Sequence, residues 1–512
     1  MTSSFFVLGD QLSTEVAPWA TLSTDTVVVM IETETLLKAR RHRTRTALYL
    51  VAMRAFAEKV RSLGYEVDYR VSRNFEEGLS AHRAAFQPSV VWMNQPRGRR
   101  ATALFQRLNV EMLEDPFYLT DIEDFRRIVS GPRVPTMEQF YRLQRQRLDV
   151  LMIDGGPVGG RWNYDEENRL PLPKNGGAWP VPWSLPLDSA EEEIVQQLGQ
   201  THPGGDALEF WPRNRTDALD QLADAMTRII PYFGPYEDAA SGQNWHLAHT
   251  RLSVALNLGL LHPSEVLTAA ITAFESGLAP LASVEGFVRQ VIGWREWVWG
   301  WHQLRTDEYR SVNRLEATNP LPTTWRNFGP HDMSCLNHTL GHLRDYGWTH
   351  HIERLMVLAN AATLAGIDPL AFNDWMAENF VDGAEWVMEA NVLGMGTFAD
   401  GGLTSTKPYV AGGNYIKKMT NFCRDCAYLP TERIGPRACP LTNAYWNFFL
   451  DNKKAIASNH RLAPQRRAAE QRHDRVEIRL GANRSRRIIA GDGDGDGDGD
   501  GDGDGDGDVP VS

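Results

Sequence analysis

Phe5-Phe6-Val7-Leu8-Gly9-Asp10-Gln11, close to the start of the chain, is the stretch that decides the fold. Four apolar residues running into a Gly-Asp pair read as a buried strand that ends in a turn. Working outward, residues 27–31, 67–71 and 90–93 repeat the strand pattern. Residues 47–63, which stop at Gly64, and residues 75–86 and 101–108 carry helical spacing between and after them. That alternation predicts a Rossmann-like parallel sheet covered on both faces. Ligands of such sheets lie beyond the strand C-termini. Gly9, Asp10 and Gln11 stand there, with Glu32 just past the second strand, although Gly9-Asp10 reads equally well as a plain turn. No GxGxxG is present in this region, which argues against a dinucleotide.

Beyond this unit the pattern changes. Residues 137–151 predict a helix, and residues 152–186, including GGRWNYDEENRLPLPK, are rich in Gly, Pro and Trp. We read that stretch as a linker ordered by packing. From about 188 to 480 the periodicity is almost wholly helical, as in 247–261, 284–304, 350–365 and 375–380, and Pro263-Ser264-Glu265 opens a further helix. The expected class is α/β plus all-α. The expected divisions are 1–130 (α/β), 131–210 (interdomain helix and linker), 211–480 (helical) and 481–512 (a disordered tail, basic then acidic).

The 512 residues are too many for a single core. Hydrophobic residues make up 42% and charged residues 23%, a composition of folded rather than disordered chains. No apolar run reaches the roughly 18 residues of a bilayer crossing, and MTSSFFVLGDQLS lacks the features of a signal peptide. A cytoplasmic protein is expected. The net charge of −12 misleads, because nine of those charges belong to the Gly-Asp repeats at 491–508. Without them the chain is near neutral, so a polyanionic partner stays open. Three basic clusters are candidates for phosphate contact: Arg97 with Arg99 and Arg100, residues 38–45, and residues 461–487, where nine arginines face three acidic residues. The repeat follows the last of these and could fold back on it.

Three segments carry chemistry. Cys423-x-x-Cys426, Cys439 and the distant Cys335 account for every cysteine, the arithmetic of an all-thiolate site; spacing alone leaves zinc and iron–sulfur both open. Four of sixteen tryptophans fall in residues 293–301, a stripe suited to packing or to single-electron relay. In GWTHHIER the adjacent His350 and His351 point about 100° apart on a helix, so at most one faces a given pocket. Histidine is the natural proton donor near neutral pH.

Together these segments resemble the photolyase/cryptochrome superfamily, and within it the bacterial iron–sulfur branch of prokaryotic (6-4) photolyases and related cryptochromes. The resemblance spans about residues 4–461. It rests on LGDQLS, GGRWNYDEENRLPLPK, HTRLSVALNLGLLHPSEV, EGFVRQVIGWREWVWG, GWTHHIER, FVDGAEWVMEANVLGM and NFCRDCAY…ACP, in that order.

It implies an antenna domain, a linker and a helical FAD domain, with a [4Fe–4S] cluster on Cys335, Cys423, Cys426 and Cys439. It places His249, Thr250, Arg251, Leu252 and Ser253 at the FAD phosphates. Arg354 and Asp382 are implied as a pair beside the isoalloxazine, and Asn391 near its N5. Gly9, Asp10 and Glu32 would face an antenna, 6,7-dimethyl-8-ribityllumazine. His351, with His350 beside it, matches the proton donor, and Gln290 with Trp294 the lesion pocket; Trp375 and Trp294 are candidate electron relays. Four residues after His351 stands Leu355, where eukaryotic (6-4) enzymes carry a second histidine, so a two-histidine mechanism does not transfer. The implied activity is light-driven repair of (6-4) photoproducts by a monomer acting on UV-damaged DNA with the lesion flipped out. A blue-light receptor, a cyclobutane-dimer photolyase and a light-independent nucleic-acid-binding module are the other readings.

Overall fold

The structure, a computed structural model, describes residues 3–131, 133–174 and 176–493. Five strands, β1 Ser3–Phe6, β2 Val27–Thr33, β3 Val67–Ser72, β4 Val90–Asn94 and β5 Glu111–Leu113, form one sheet in the order β3-β2-β1-β4-β5. Every pairing is parallel, with Phe5 opposite Val28 on one side and Trp92 on the other. Successive side chains point to opposite faces. Accordingly Phe5, Val28 and Met30 join one core, and Phe6, Val29 and Ile31 another, closed by Leu79 and Phe105. The helices Arg43–Ser62, Phe75–Phe86 and Arg99–Arg107 match the sequence reading. The short edge strand β5 was not foreseen.

The order of the sheet reverses at β1, and the crevice between the C-terminal ends of β1 and β4 is where an open α/β sheet takes a ligand. Gln11 spans it, donating from Nε2 to the carbonyls of Asn94 and Gln95.

The linker does pack. Its backbone N–H at Tyr164 donates to Glu285 Oε2, and Leu170 N–H to the Pro235 carbonyl. Two large cores, with smaller clusters beside them, fill the helical part; one is continuous with a face of the sheet and contains Trp211, Leu252 and Val288. The other contains Trp325, Phe372, Trp375 and the cysteines.

Two expectations are corrected. Within 247–261 only Ser253–Leu258 is helical, because Leu247 (φ 43°) and Arg251 (φ 59°) are left-handed and break the preceding stretch into turns. Residues 482–490, assigned to a disordered tail, form the helix Ala482–Ala490, whose Ile488 and Ile489 are buried in the second core. The Gly-Asp repeat beyond residue 493 lies outside the described residues. No helix among the described residues is long and apolar enough to cross a membrane.

Candidate functional site

After Gly347 the chain runs without regular structure through His350, and a helix opens at His351, so the two histidines part. His350 is buried, 1% exposed, and neither ring nitrogen has a hydrogen-bond partner. It stacks on His249 at 4.2 Å with planes 5° apart, and His351 meets His249 edge-on at 5.4 Å. The His351 side chain is half exposed, with Nε2 3.8 Å from Asp238 Oδ1. Burial, reinforced by the neighbouring imidazoles, holds His350 well below the usual histidine range, and burial takes His249 down to about 3. Those two rings stay neutral. Burial opposes ionisation of Asp238, yet the charge of His351 keeps it below its ordinary value. Although nitrogens of all three histidines lie within 4.8 Å of one another, the parallel stack of His249 on His350 keeps their lone pairs in separate planes. The trio is therefore not a chelate for one ion.

Gln290 donates from Nε2 to Glu237 Oε1 (3.0 Å) and to the Gly286 carbonyl (3.2 Å). Burial pushes the Glu237 carboxyl up to about 7, opposed by His351 and Arg289. Sequence reasoning missed Glu237 and Asp238, which close the helix Ile230–Tyr236 and belong to no motif. Trp294 lies apart, half-buried against the core of Phe125, Phe140 and Trp297.

Behind the histidines, Arg354 makes a bidentate pair with Asp382, 3.0 Å at each oxygen. Ser253 Oγ donates to Asp382 Oδ2 (2.7 Å), and Asn257 to its carbonyl. The guanidinium of Arg354 also lies over the Phe380 ring at 4.2 Å. Thr349, His350 and Glu353, adjoining Arg354 in the chain, leave buried polar atoms unpartnered, as do His246 and Asn379. Such atoms carry a desolvation cost that a polar ligand would relieve. Leu252 and Thr250 lie just before the helix Ser253–Leu258. The Arg251 guanidinium, however, is spent on the carbonyls of Phe210 and Trp183, tying down the linker; this corrects its assignment to a phosphate. Asn391 donates to the Val387 carbonyl. Gln290, Trp294, Arg354 and Asn391 all sit on π-helical segments (Arg289–Arg295, Glu353–Ala359 and Glu389–Gly396), a distortion frequent at functional sites.

Trp375 is 1% exposed and its ring lies 6.1 Å from that of Trp325. Most of the 293–301 stripe is packing: Trp297 meets Phe125 and Phe140, and Trp299 stacks on Tyr118 at 4.2 Å.

All four cysteines line one apolar pocket with Met333, Ile416, Phe422, Tyr428 and Leu441. Cys335 is near the start of the helix Ser334–Tyr346, and Cys439 caps Pro440–Asp451. Burial raises the thiols of Cys335, Cys439 and Cys423, the last to about 12, and each of the other three sulphurs adds to the rise at Cys335.

At the sheet, Gly9 is where the helix Arg43–Ser62 comes close, since a Cβ would stand 2.9 Å from Met53 Sδ. Glu32 is committed to both Arg54 nitrogens (2.8 and 2.9 Å) and to Tyr69, so it braces that helix and does not face an open site. Asp10 has its carboxyl raised by burial. Nearby, Gln11 Oε1, Arg45 Nε, Thr46 Oγ1 and Arg97 NH2 are buried without partners.

In two of the three basic clusters several members turn inward. Arg97 is 1% exposed, with Asp115 3.7 Å away and the Asn257 carbonyl at 2.6 Å. Arg99 pairs with Glu389 and Arg100 with Glu385. In 38–45, Arg43 binds the carbonyls of Gly204 and Gly205, and Arg45 those of Ala377 and Phe380. Arg97, Arg99, Arg43 and Arg45 fasten parts of the chain together, whereas Lys38, Arg40 and Arg100 keep exposed side chains. In the third cluster Arg467, Arg475 and Arg479 are exposed.

Residues 5–209 match the family model described as deoxyribodipyrimidine photo-lyase-related protein. A protein of Agrobacterium fabrum named "(6-4) photolyase" is 35% identical over 500 residues, 93% of this chain and 97% of its own length. Among solved structures, a bacterial class III photolyase from Agrobacterium tumefaciens superposes with a TM-score of 0.55 at 14% identity, covering 95% of this chain and 97% of that one. A cryptochrome from Synechocystis sp. PCC6803 does so with 0.51 at 14%, covering 77% and 82%.

Proposed function

The chain belongs to the photolyase/cryptochrome superfamily, in the branch of the bacterial (6-4) photolyase, and from that premise we propose that it repairs pyrimidine–pyrimidone (6-4) photoproducts in DNA when illuminated. The observation that carries the reading is the split between the histidines. One is buried and neutral, while His351 is half exposed next to Asp238 and across from Gln290. A damaged dinucleotide stacks poorly, so extruding it into this site costs less than extruding an intact pair. His351, whose Nε2 lies 3.8 Å from Asp238 Oδ1, donates a proton to the lesion, which lets the displaced oxygen group return to its original base. A single imidazole suffices here, since Leu355 replaces the second one.

FAD is the cofactor we assign to the helical part, and once reduced it supplies the electron that light transfers to the lesion. Arg354, Asp382, Ser253, Thr250, the backbone of 249–252 and Asn391 would hold it. The unpartnered polar atoms beside the Arg354–Asp382 pair fit such a ligand. Trp375, with Trp325, is the assigned electron relay. Cys335, Cys423, Cys426 and Cys439, which line one apolar pocket, would hold a [4Fe–4S] cluster. The unpartnered atoms at the C-terminal ends of β1 and β4 support a ribityllumazine antenna beside Asp10. Phosphate contact falls to the exposed arginines of 461–487.

Illumination of the purified protein with oligonucleotides carrying either lesion, followed by chromatography, tests the activity. We expect (6-4) lesions to revert, cyclobutane dimers to persist, and His351→Ala to abolish the reaction with flavin retained. Bound flavin with neither lesion repaired favours the photoreceptor reading.

A further inference from the structure

Both hydrogens of the Gln290 amide are taken by acceptors of the protein itself. One goes to Glu237 Oε1 at 3.0 Å and the other to the Gly286 carbonyl at 3.2 Å. A primary amide has two donors on nitrogen and an acceptor oxygen, so pinning the nitrogen fixes which end faces outward. No donor among the described residues reaches Gln290 Oε1. The side chain is only partly buried, which leaves that oxygen free, and Glu237, which holds the amide, lies within electrostatic reach of His351.

Glu237 is built into this arrangement. It is 8% exposed, and its main-chain carbonyl accepts from His249 Nε2 (3.1 Å), so one residue supports both the histidine stack and the amide. Room for its carboxyl depends on Gly286, where a Cβ would lie 3.2 Å from Glu237 Oε2 and 2.7 Å from Asn168 Nδ2. The Gly286 carbonyl is acceptor-only at any pH, and Glu237 is so once ionised, above the value of about 7 to which burial raises it; there neither can hold the amide in the opposite orientation, and the measurements below are made well above that pH.

We propose that Glu237 is a positioning residue that keeps the Gln290 carbonyl oxygen turned toward the lesion, making the pocket specific for a base that carries an imide N–H. This rests on the (6-4) reading above. In that lesion the 5′ ring keeps its N3–H between two carbonyls, whereas the 3′ pyrimidone has lost its own. An acceptor-only contact therefore distinguishes the two ends and selects one orientation of the flipped dinucleotide.

The test uses the flavin-loaded full chain and duplexes with a (6-4) lesion whose 5′ base is either unmodified or methylated at N3. Affinity is read by fluorescence anisotropy, and repair yield per bound complex by single-flash illumination. For the wild type, methylation should weaken binding about tenfold, the effect of one hydrogen bond replaced by an unpaired buried acceptor. In Glu237→Gln the facing amide can donate as well as accept, so Gln290 is free to turn over. We expect weaker binding of the unmodified lesion and a collapse of the methylation effect toward twofold. The loss should fall on affinity and not on yield per bound complex, with flavin absorbance and affinity for undamaged DNA unchanged. Equal wild-type affinity for both duplexes overturns the proposal even if the variant does not fold. So does a Glu237→Gln protein that keeps the full methylation effect. Failure of the wild type to repair the unmodified lesion would instead overturn the function, a separate result.

Discussion

Asp382 gathers four hydrogen bonds: two from Arg354, one from Ser253 Oγ and, at its carbonyl, one from Asn257. Its side chain is 5% exposed and that of Arg354 18%, so removing the charge of one leaves the other poorly solvated. Asp382→Asn should cost about 3 kcal/mol in chemical denaturation and release flavin from the folded protein, read by absorbance after gel filtration. A variant that unfolds at the wild-type midpoint with its flavin retained would remove this pair from the site. Arg354, Asp382 and Ser253 were legible only through resemblance, since nothing in their local spacing joins positions 253, 354 and 382. His350 and His351 do part, but not as two positions of one helix: His350 precedes the first turn and His351 opens it. Which one is exposed depended on Asp238 and Glu237, more than a hundred residues away and outside any motif, and no local signal could have supplied them.

At the scale of elements, strands and helices with clean periodicity were readable, and the failures have physical causes. The strand β5, Glu-Met-Leu at a sheet edge, is too short to show alternation. The segment 247–252 has helical spacing but is turned by two left-handed residues, which periodicity does not register. The π-helical segments hide likewise, because one extra residue per turn barely alters an apolar pattern. The cysteines were legible as a set because the C-x-x-C pair and the two remaining thiols account for every cysteine in the chain, although Cys423 and Cys426 lie in an irregular loop. Cys439 caps the helix Pro440–Asp451, where the positive end of the helix dipole favours thiolate. Packing there is close: a Cβ on Gly413 would stand 2.8 Å from Cys439 Sγ and 3.0 Å from the Pro430 backbone. Anaerobically purified protein should hold about four irons with matching acid-labile sulfide, and Gly413→Ala should lower both together. One zinc per chain without sulfide would exclude the cluster.

For the whole molecule, several of the arginines that looked like a DNA surface instead join the sheet to the helices, because a charge cluster in sequence does not reveal whether carboxylates wait opposite. Arg99 and Arg310 converge on Glu389 with His302 3.2 Å away. Burial opposes the ionisation of Glu389, but His302, then Arg99 and Arg310, outweigh it and hold the carboxyl at about 2, below the ordinary 4.5. A carboxyl lowered by folding stabilises the fold above its unfolded value, and that stabilisation fades as pH falls from about 4.5 toward 2. The raised carboxyls of Asp115, near 6, and Glu237, near 7, act in the opposite sense, contributing at low pH and losing that contribution as pH rises past those values. The buried neutral histidines outnumber these two carboxyls and act with Glu389: burial lowers His42 to about 4 and His246 and His249 to about 3, so the stability they bring fades as pH falls from 6.5 toward those values. Stability should therefore decline progressively as the solution is acidified below pH 6.5. Glu389→Gln isolates the acid limb. In urea unfolding at pH 7 it should cost about 2–3 kcal/mol, and between pH 4.5 and 2.5 its stability should change less than that of the wild type. Parallel pH profiles for the two proteins would show that this buried group does not couple the two halves of the chain.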